Sequence, residues 1–402
     1  MQQIKLITVI FASFAGFLMA ADMDWQAQFR ARMERPDKLP DDQISAATIT
    51  HLRSRLMFHM QKDYLSAVMQ FQDVRYLGAD QSNSGLTKPD STNFGLHQVY
   101  LSIDQLFSPG WKLTIGRFEM NLGNQRLFSP NNWNNYGRSF DGFRLQTSGQ
   151  RYGAGEIFYL KVYEAFLDNL SDNHDTDING IYLRPVTLNL SGLGLNRLEI
   201  YGYQEINRGN TARRIKRTTY GSRLILSLLI FGFEVEGARQ IGTDDNNNDI
   251  NSWFSVANLE IKTRFLPIIK KITIGREFYA GDDTSTISRE GFANPYGAGH
   301  KFHGYFDAHK YFRDNQQTGL SEWNVKLNLT FKPHISTLIH YHSFSEGWEN
   351  GRRLGNELNL EYIQKIGQYG RFTMGYAIYN YGPASGESGT GEIAYTVLSI
   401  TL

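Results

Sequence analysis

Arg30, Arg32, Arg53, Arg55, Arg144 and Arg223, together with Lys326, fall on the polar side of segments in which every second residue is apolar. Guanidinium groups stay charged and bind carboxylates through paired hydrogen bonds, so such a set lining a passage would form a cationic track for an acidic solute. The competing role is internal, because Glu34, Glu199, Glu234, Glu236, Glu260, Glu357 and Glu361 sit on the same kind of face and could neutralise the arginines to hold a wall together. The two roles can coexist, and both stay open at this level.

Other chemistry is poorly supported. His300 and His303, with Asp307, are spaced like metal ligands, and His340 and His342 share one strand face. With no Cys in the chain and no Glu in the right frame, hydrogen-bonded histidines are the expectation, and no metal set is assigned. The acidic runs Asp172 to Asp177 and Asp244 to Asp249 lack EF-hand spacing. They are read as solvated loop tips, with loop Ca²⁺ a weak alternative and no other cofactor. No G-x-S-x-G elbow or phosphate-cradling glycine loop occurs, so catalytic residues are not assigned and an outer-membrane enzyme is kept only as the alternative of another class.

The elements that must position these residues are strands. In Trp25 to Glu34, Trp25, Ala27, Phe29, Ala31 and Met33 alternate strictly with Gln26, Gln28, Arg30, Arg32 and Glu34. Leu52, Leu56, Phe58 and Met60 oppose His51, Arg53, Arg55 and His59, and Trp323 to Phe331 repeats the pattern against Asn324, Lys326 and Asn328. Such alternation marks strands with lipid on one side and water on the other. About eighteen such segments are predicted, near 24–35, 49–61, 64–76, 94–103, 111–120, 138–147, 156–166, 178–188, 197–206, 218–227, 231–240, 252–263, 270–279, 320–331, 335–344, 357–364, 371–381 and 392–402. Their connections alternate between short (Lys62-Asp63, Phe107 to Gly110, Lys332 to His334, Ile366 to Gly370) and long (Leu122 to Gly137, Gly281 to Gly319). A barrel with both termini in the periplasm requires that parity. The expected fold is therefore all-β, a transmembrane antiparallel up-and-down β-barrel with short periplasmic turns and long extracellular loops.

Energetics assign the faces. A cation on the lipid face at mid-bilayer costs about 2–4 kcal/mol, so Arg30, Arg32, Arg53 and Arg55 must point inward. In Thr114-Ile115-Gly116-Arg117 and Thr273-Ile274-Gly275-Arg276 the Arg shares parity with an Ile; a bulge at the Gly or a place at the rim would reconcile them. The cluster Arg213 to Arg217 is read as loop rather than as a nucleic-acid arm.

The run Leu6 to Leu18, after Lys5 and before Ala20 and Ala21, is too short to span a bilayer permanently. Residues 1–21 are expected to be a cleaved signal peptide and 22–402 the barrel. The 41 Lys+Arg and 40 Asp+Glu become 40 of each once Lys5 leaves, so selectivity must come from where charges sit. There is no second long apolar run, which excludes a helical membrane protein.

The stretches Ile115-Gly-Arg-Phe-Glu-Met-Asn-Leu-Gly-Asn-Gln-Arg-Leu127 and Trp133-Asn-Asn-Tyr-Gly-Arg-Ser-Phe-Asp-Gly-Phe-Arg144 resemble the G-R-x-x-x-x-x-G-x-x-R … W-x-n-x-x-R-x-F-D-G-x-R signature of the alginate export family of outer-membrane barrels. Phe292 to Asp307, containing His300-Lys-Phe-His-Gly-Tyr-Phe-Asp307, is similar to that family's H-K-F-x-G-x-x-D loop. The resemblance implies a monomeric barrel with an Arg-rich constriction passing a polyuronate. The family's long plugging turn between the sixteenth and seventeenth strands is shortened here to roughly Ile366 to Gly370. Around these motifs Arg126, Arg138, Asp141, His300, Lys301 and Asp307 are expected to latch a loop inside the pore, with Asp141 bridging Arg138 and Arg144 and lying near the rim. The implied function is an outer-membrane pore for an anionic saccharide, with a general porin for small anions or oligosaccharides as the alternative. The implied partners are outer-membrane lipid and lipopolysaccharide, the saccharide, and periplasmic export proteins, with no nucleic acid.

Overall fold

Period-two alternation leaves each segment with one face that hydrocarbon can cover and one that needs polar company, and only a closed sheet satisfies both without open edges. The structure, a computed structural model, describes residues 21–37, 48–78, 94–149, 153–163, 175–185, 197–208, 214–244, 246–263, 266–283, 285–309, 318–348 and 350–402. The signal-peptide assignment lies almost wholly outside them.

Eighteen strands run as β1 (Asp22–Asp37), β2 (Ile49–Lys62), β3 (Leu65–Leu77), β4 (Phe94–Asp104), β5 (Trp111–Phe118), β6 (Phe140–Gly149), β7 (Gly153–Tyr163), β8 (Thr176–Arg184), β9 (Arg197–Asn207), β10 (Ile215–Leu228), β11 (Phe231–Thr243), β12 (Asp249–Lys262), β13 (Ile269–Tyr279), β14 (Leu320–Lys332), β15 (Ile335–Ser345), β16 (Arg353–Ile366), β17 (Gly370–Tyr381) and β18 (Thr390–Thr401). The predicted segments match them one for one, with ends displaced by up to four residues. Each strand pairs antiparallel with its sequence neighbours, and β1 also pairs with β18, from Gln28 opposite Thr401 to Asp37 opposite Glu392. The sheet is thereby a closed antiparallel barrel of the outer-membrane type, with its edge hydrogen bonds satisfied. Its outer wall exposes Trp25, Phe29, Leu101, Ile115, Phe143, Val235, Trp323 and Leu358, as the alternation requires.

The interior is not an empty tube. Residues 119–139, between β5 and β6, and 280–309, after β13, turn inward and build an aromatic core with the inner wall. Phe128 lies edge-on to Tyr203 of β9 at 4.9 Å between centroids and stacks on Tyr296 of the second loop at 5.5 Å. Phe306 stacks on Tyr379 of β17 at 5.3 Å, beyond a single helical turn, Gly299–Phe302.

Three expectations need correction. The Arg213–Arg217 cluster is not all loop: β10 begins at Ile215, and Arg217 points inward to Glu205 at 2.6 Å because strand alternation continues through it; Arg213 lies outside the described residues. Asp141 does not bridge Arg138 and Arg144. Its parity turns it outward, where it meets Arg117 in a two-pronged pair at 2.8 and 2.6 Å. That pair also settles the Thr-Ile-Gly-Arg conflict, since the β4–β5–β6 ladder runs through Gly116 without a register shift and Arg117 sits at the rim end of β5. Arg276 likewise stays on the outer wall, its guanidinium 5.1 Å from the Trp323 ring centroid and bonded to the carbonyls of Glu277 and Glu322. Finally, the acidic runs are solvated only in part, with Asn246, Asn247 and Asp249 exposed. Asp175 is buried and takes Lys161 at 2.6 Å, while Asp244 accepts the backbone N–H groups of Asn246 and Asn248 and pairs with Arg289 at 2.8 Å; residues 172–174 lie outside the described set.

Candidate functional site

Arg30 and Arg32 on β1 and Arg53 and Arg55 on β2 face inward from adjacent, in-register strands, Arg30 directly opposite Arg53. Four cations side by side repel one another unless acceptors surround them, and the inward loop supplies these. Arg30 donates to the Asn132 carbonyl and, at 2.9 Å, to Asn135 Oδ1. Arg55 donates to Asn132 Oδ1 at 2.9 Å and Gln72 Oε1 at 2.7 Å, and pairs with Glu119 at 3.2 Å. Arg53 reaches Asn132 Oδ1 at 3.3 Å and Gln28 Oε1 at 3.1 Å. Arg32 donates to the Trp133 carbonyl, lies 4.2 Å from that ring's centroid, and pairs with Glu34 at 2.8 Å. The Asn-rich stretch suits this task because short amides and a left-handed Asn131 (φ 46°) aim carbonyl oxygens at the wall. All four arginines are consequently buried under the loop rather than open to the lumen.

Glu119 is the one loop carboxylate in this cradle. Burial works against its charge, but the His97 ring nitrogen at 2.9 Å and the nearby Arg55 outweigh that, holding its carboxyl below the ordinary range.

The same loop grips the far wall through Arg126. This side chain is fully buried, donates to Glu277 Oε2 at 2.5 Å, Glu236 Oε2 at 3.2 Å and Tyr279 Oη at 3.0 Å, and lies 4.1 Å from the Phe302 ring centroid. Arg138 ties the two loops together by donating to the carbonyls of Pro295, at 3.1 Å, and Tyr296. Arg126 and Arg138 thus tie the first loop to the far wall and to the second loop.

Each residue of His300 to Asp307 has a distinct place. His300 bonds Asp307 at 2.8 Å and stacks on Trp133 at 3.7 Å between centroids, welding the second loop to the first. His303 meets Glu322 of β14 at 2.8 Å. Gly304, at φ +87°, bends the chain so that the N–H groups of Tyr305 and Phe306 both donate to Glu357 Oε1, at 2.6 and 2.9 Å. Glu357 therefore serves the loop backbone and not a lumen arginine. Lys301 is exposed; its ammonium donates to the Asn124 carbonyl of the first loop at 2.9 Å and lies 5.4 Å from the Phe302 ring centroid.

Of the remaining candidates, Arg223 is neutralised by Glu199 at 2.9 Å and Glu234 at 2.7 Å. Lys326 is half-buried and donates to the Phe302 carbonyl at 3.3 Å. Arg144 lies half-buried, 5.1 Å from the Phe118 ring centroid. Among the described residues, Arg144, Lys301 and Lys326 are inward cations with no carboxylate partner. Partial desolvation, and then the neighbouring Arg126 and Arg223, push the Lys301 ammonium below its usual value, against the opposing pull of Glu234. On the short-turn side a cavity of about 370 Å³ remains open between Lys112, Gln146, Glu156, Tyr182 and Arg184.

Reading the sequence alone missed Asn132, Asn135, Glu119, Glu277 and Glu322 as members of the site. The asparagines carried the one usable signal, a polar run inside a conspicuous motif; the glutamates looked like ordinary strand residues.

The family model described as alginate export matches residues 21–382. Solved structures similar to this chain include the outer membrane protein opdK from Pseudomonas aeruginosa, 12% identical with a TM-score of 0.58 and covering 95% of this chain and 98% of that one. Acinetobacter baumannii OccAB4 has a TM-score of 0.62 at 12% identity, with the same coverage of 95% and 98%. Pseudomonas aeruginosa OpdO has a TM-score of 0.63 at 14% identity, covering 95% of this chain and 97% of its own. No curated protein matches the chain at a significant level.

Proposed function

This chain belongs to the alginate export family of outer-membrane β-barrels, and from that premise we propose that it is a pore conducting an anionic saccharide, down to single sugar acids, past a cationic constriction. The observation that carries the reading is the set Arg144, Lys301 and Lys326, inward cations that form no ion pair with a carboxylate among the described residues. A narrow lumen with low-dielectric walls concentrates the field of such groups, so a small local excess selects for anions even where the whole chain is nearly neutral. The buried arginine cradle has a different part in this reading: it fixes the loop that sets the width of the passage. The barrel acts as a monomer whose outer band meets lipid and lipopolysaccharide, and no catalysis is assigned.

A porin for small anions is the second reading, favoured by the filled interior. Phe128, Met120 and Phe306 are completely buried between the loops and the wall, leaving no polymer-sized gap where they pack.

Planar-bilayer recording under a salt gradient tests both. The wild-type reversal potential should report anion over cation permeability, and Lys301→Ala with Lys326→Ala and Arg144→Ala should move it toward neutrality. Current block by a uronate oligosaccharide, but not by a neutral one, separates the saccharide pore from the general porin. A cation-selective wild type, or a reversal potential indifferent to the triple substitution, would overturn the proposal.

A further inference from the structure

The geometry points to a divalent metal site of the zinc class, built from Glu277 on β13, His303 on the inward loop and Glu322 on β14, that clips the plug to the barrel wall. His303 Nδ1 lies 2.8 Å from Glu322 Oε2 and 3.8 Å from Glu277 Oε2, and the three donor atoms fall within 4.8 Å of one another. Bonds of about 2.0–2.2 Å to tetrahedral zinc place its donors roughly 3.4 Å apart, between the two separations observed. The donors come from three separate elements, and all three side chains are buried, with exposures of 1%, 2% and 0%.

Charge balance is the second argument. Glu236, Glu277 and Glu322 are all buried here; Arg126 lies 3.2 Å from Glu236 and 2.5 Å from Glu277, Arg223 lies 4.0 Å from Glu236 but is already shared with Glu199 and Glu234, and no Lys or Arg forms an ion pair with Glu322 among the described residues. The carboxylates thus outnumber the guanidinium groups in a region shielded from water, and uncompensated buried carboxylates are costly. A single divalent ion removes that excess while using neutral His303 as its nitrogen ligand. His342 then has the position of an orienting partner, its Nδ1 2.7 Å from the second oxygen of Glu322, an arrangement that commonly fixes a metal-bound carboxylate. The alternative is a cluster held by hydrogen bonds alone, and the two cases differ in metal content.

The test uses the whole barrel purified in detergent, incubated with zinc, passed into metal-free buffer and assayed by elemental analysis. Stoichiometric zinc is expected in the wild type and in His334→Ala, whose exposed imidazole sits on the turn between β14 and β15, with retention falling at least tenfold in His303→Ala and Glu322→Gln. Should those variants fail to fold, the wild type loaded with cobalt(II) must show the intense visible bands of a tetrahedral nitrogen–oxygen site. Wild-type protein that retains neither metal, or His303→Ala that retains as much as wild type, overturns the site and leaves a hydrogen-bonded network.

Discussion

Replacing Arg126 by Met should release the plug from the β11–β13 wall. Met keeps most of the side-chain volume but removes the cation that faces Glu236 and Glu277, both of them buried. Breaking a buried pair by deleting one partner costs about 3–5 kcal/mol, chiefly because the remaining charge is stranded. At 1.4 kcal/mol per factor of ten, that shifts the docked–undocked equilibrium of loop 119–139 by roughly two to three and a half orders of magnitude. The loss of the guanidinium stacked at 4.1 Å on Phe302 adds to this on the second loop. Single-channel recording is the assay: the variant should flicker between the wild-type level and larger conductances, in a barrel that still migrates as folded on unheated gels. The cause is checked by rescue, because adding Glu236→Gln and Glu277→Gln removes the stranded charges and should restore most of the quiet wild-type trace. A quiet, wild-type conductance in Arg126→Met alone would refute the reasoning, and failure of the rescue would show that packing rather than charge holds the plug.

Gly304→Ala should loosen the second loop, since Ala at φ +87° is strained and its Cβ would overlap the Glu357 carboxylate; a loss of about 1–3 kcal/mol is expected, read as faster protease cleavage within 280–309. By contrast, the rim pair Arg117–Asp141, about half exposed on both sides, should contribute about 1 kcal/mol or less in a double-mutant cycle of barrel unfolding. Acidification should undock the first loop through Glu119: its depressed folded value means that its stabilisation is present above the ordinary Glu range and is lost as pH falls through that lower value, so channel noise should rise only in strong acid and not near neutrality. Glu119→Gln should abolish that acid transition, measured by the same recordings.

Strand positions, their number and the inward direction of Arg30, Arg32, Arg53 and Arg55 were all legible in the sequence, because strand periodicity is a local property and hydrocarbon penalises any other assignment. The conflict at Arg117 and the outward parity of Asp141 were legible separately; that each answers the other follows only from the β5–β6 register, which sets Arg117 opposite Asp141. Position within a motif was similarly a guide to importance but not to role. Lys301 stands beside His300 in the chain, yet one ends at the lumen surface and the other is stacked within the plug.

What the sequence by itself determined is the barrel and which face of each strand meets lipid. What only the tertiary structure decided is how the interior is filled. Loop 119–139 places Asn132 against Arg30, 102 residues away, and Arg126 against Glu277, 151 residues away. Partners so distant carry no periodic signal, since their meeting depends on the closed wall that folds both loops into one shared space.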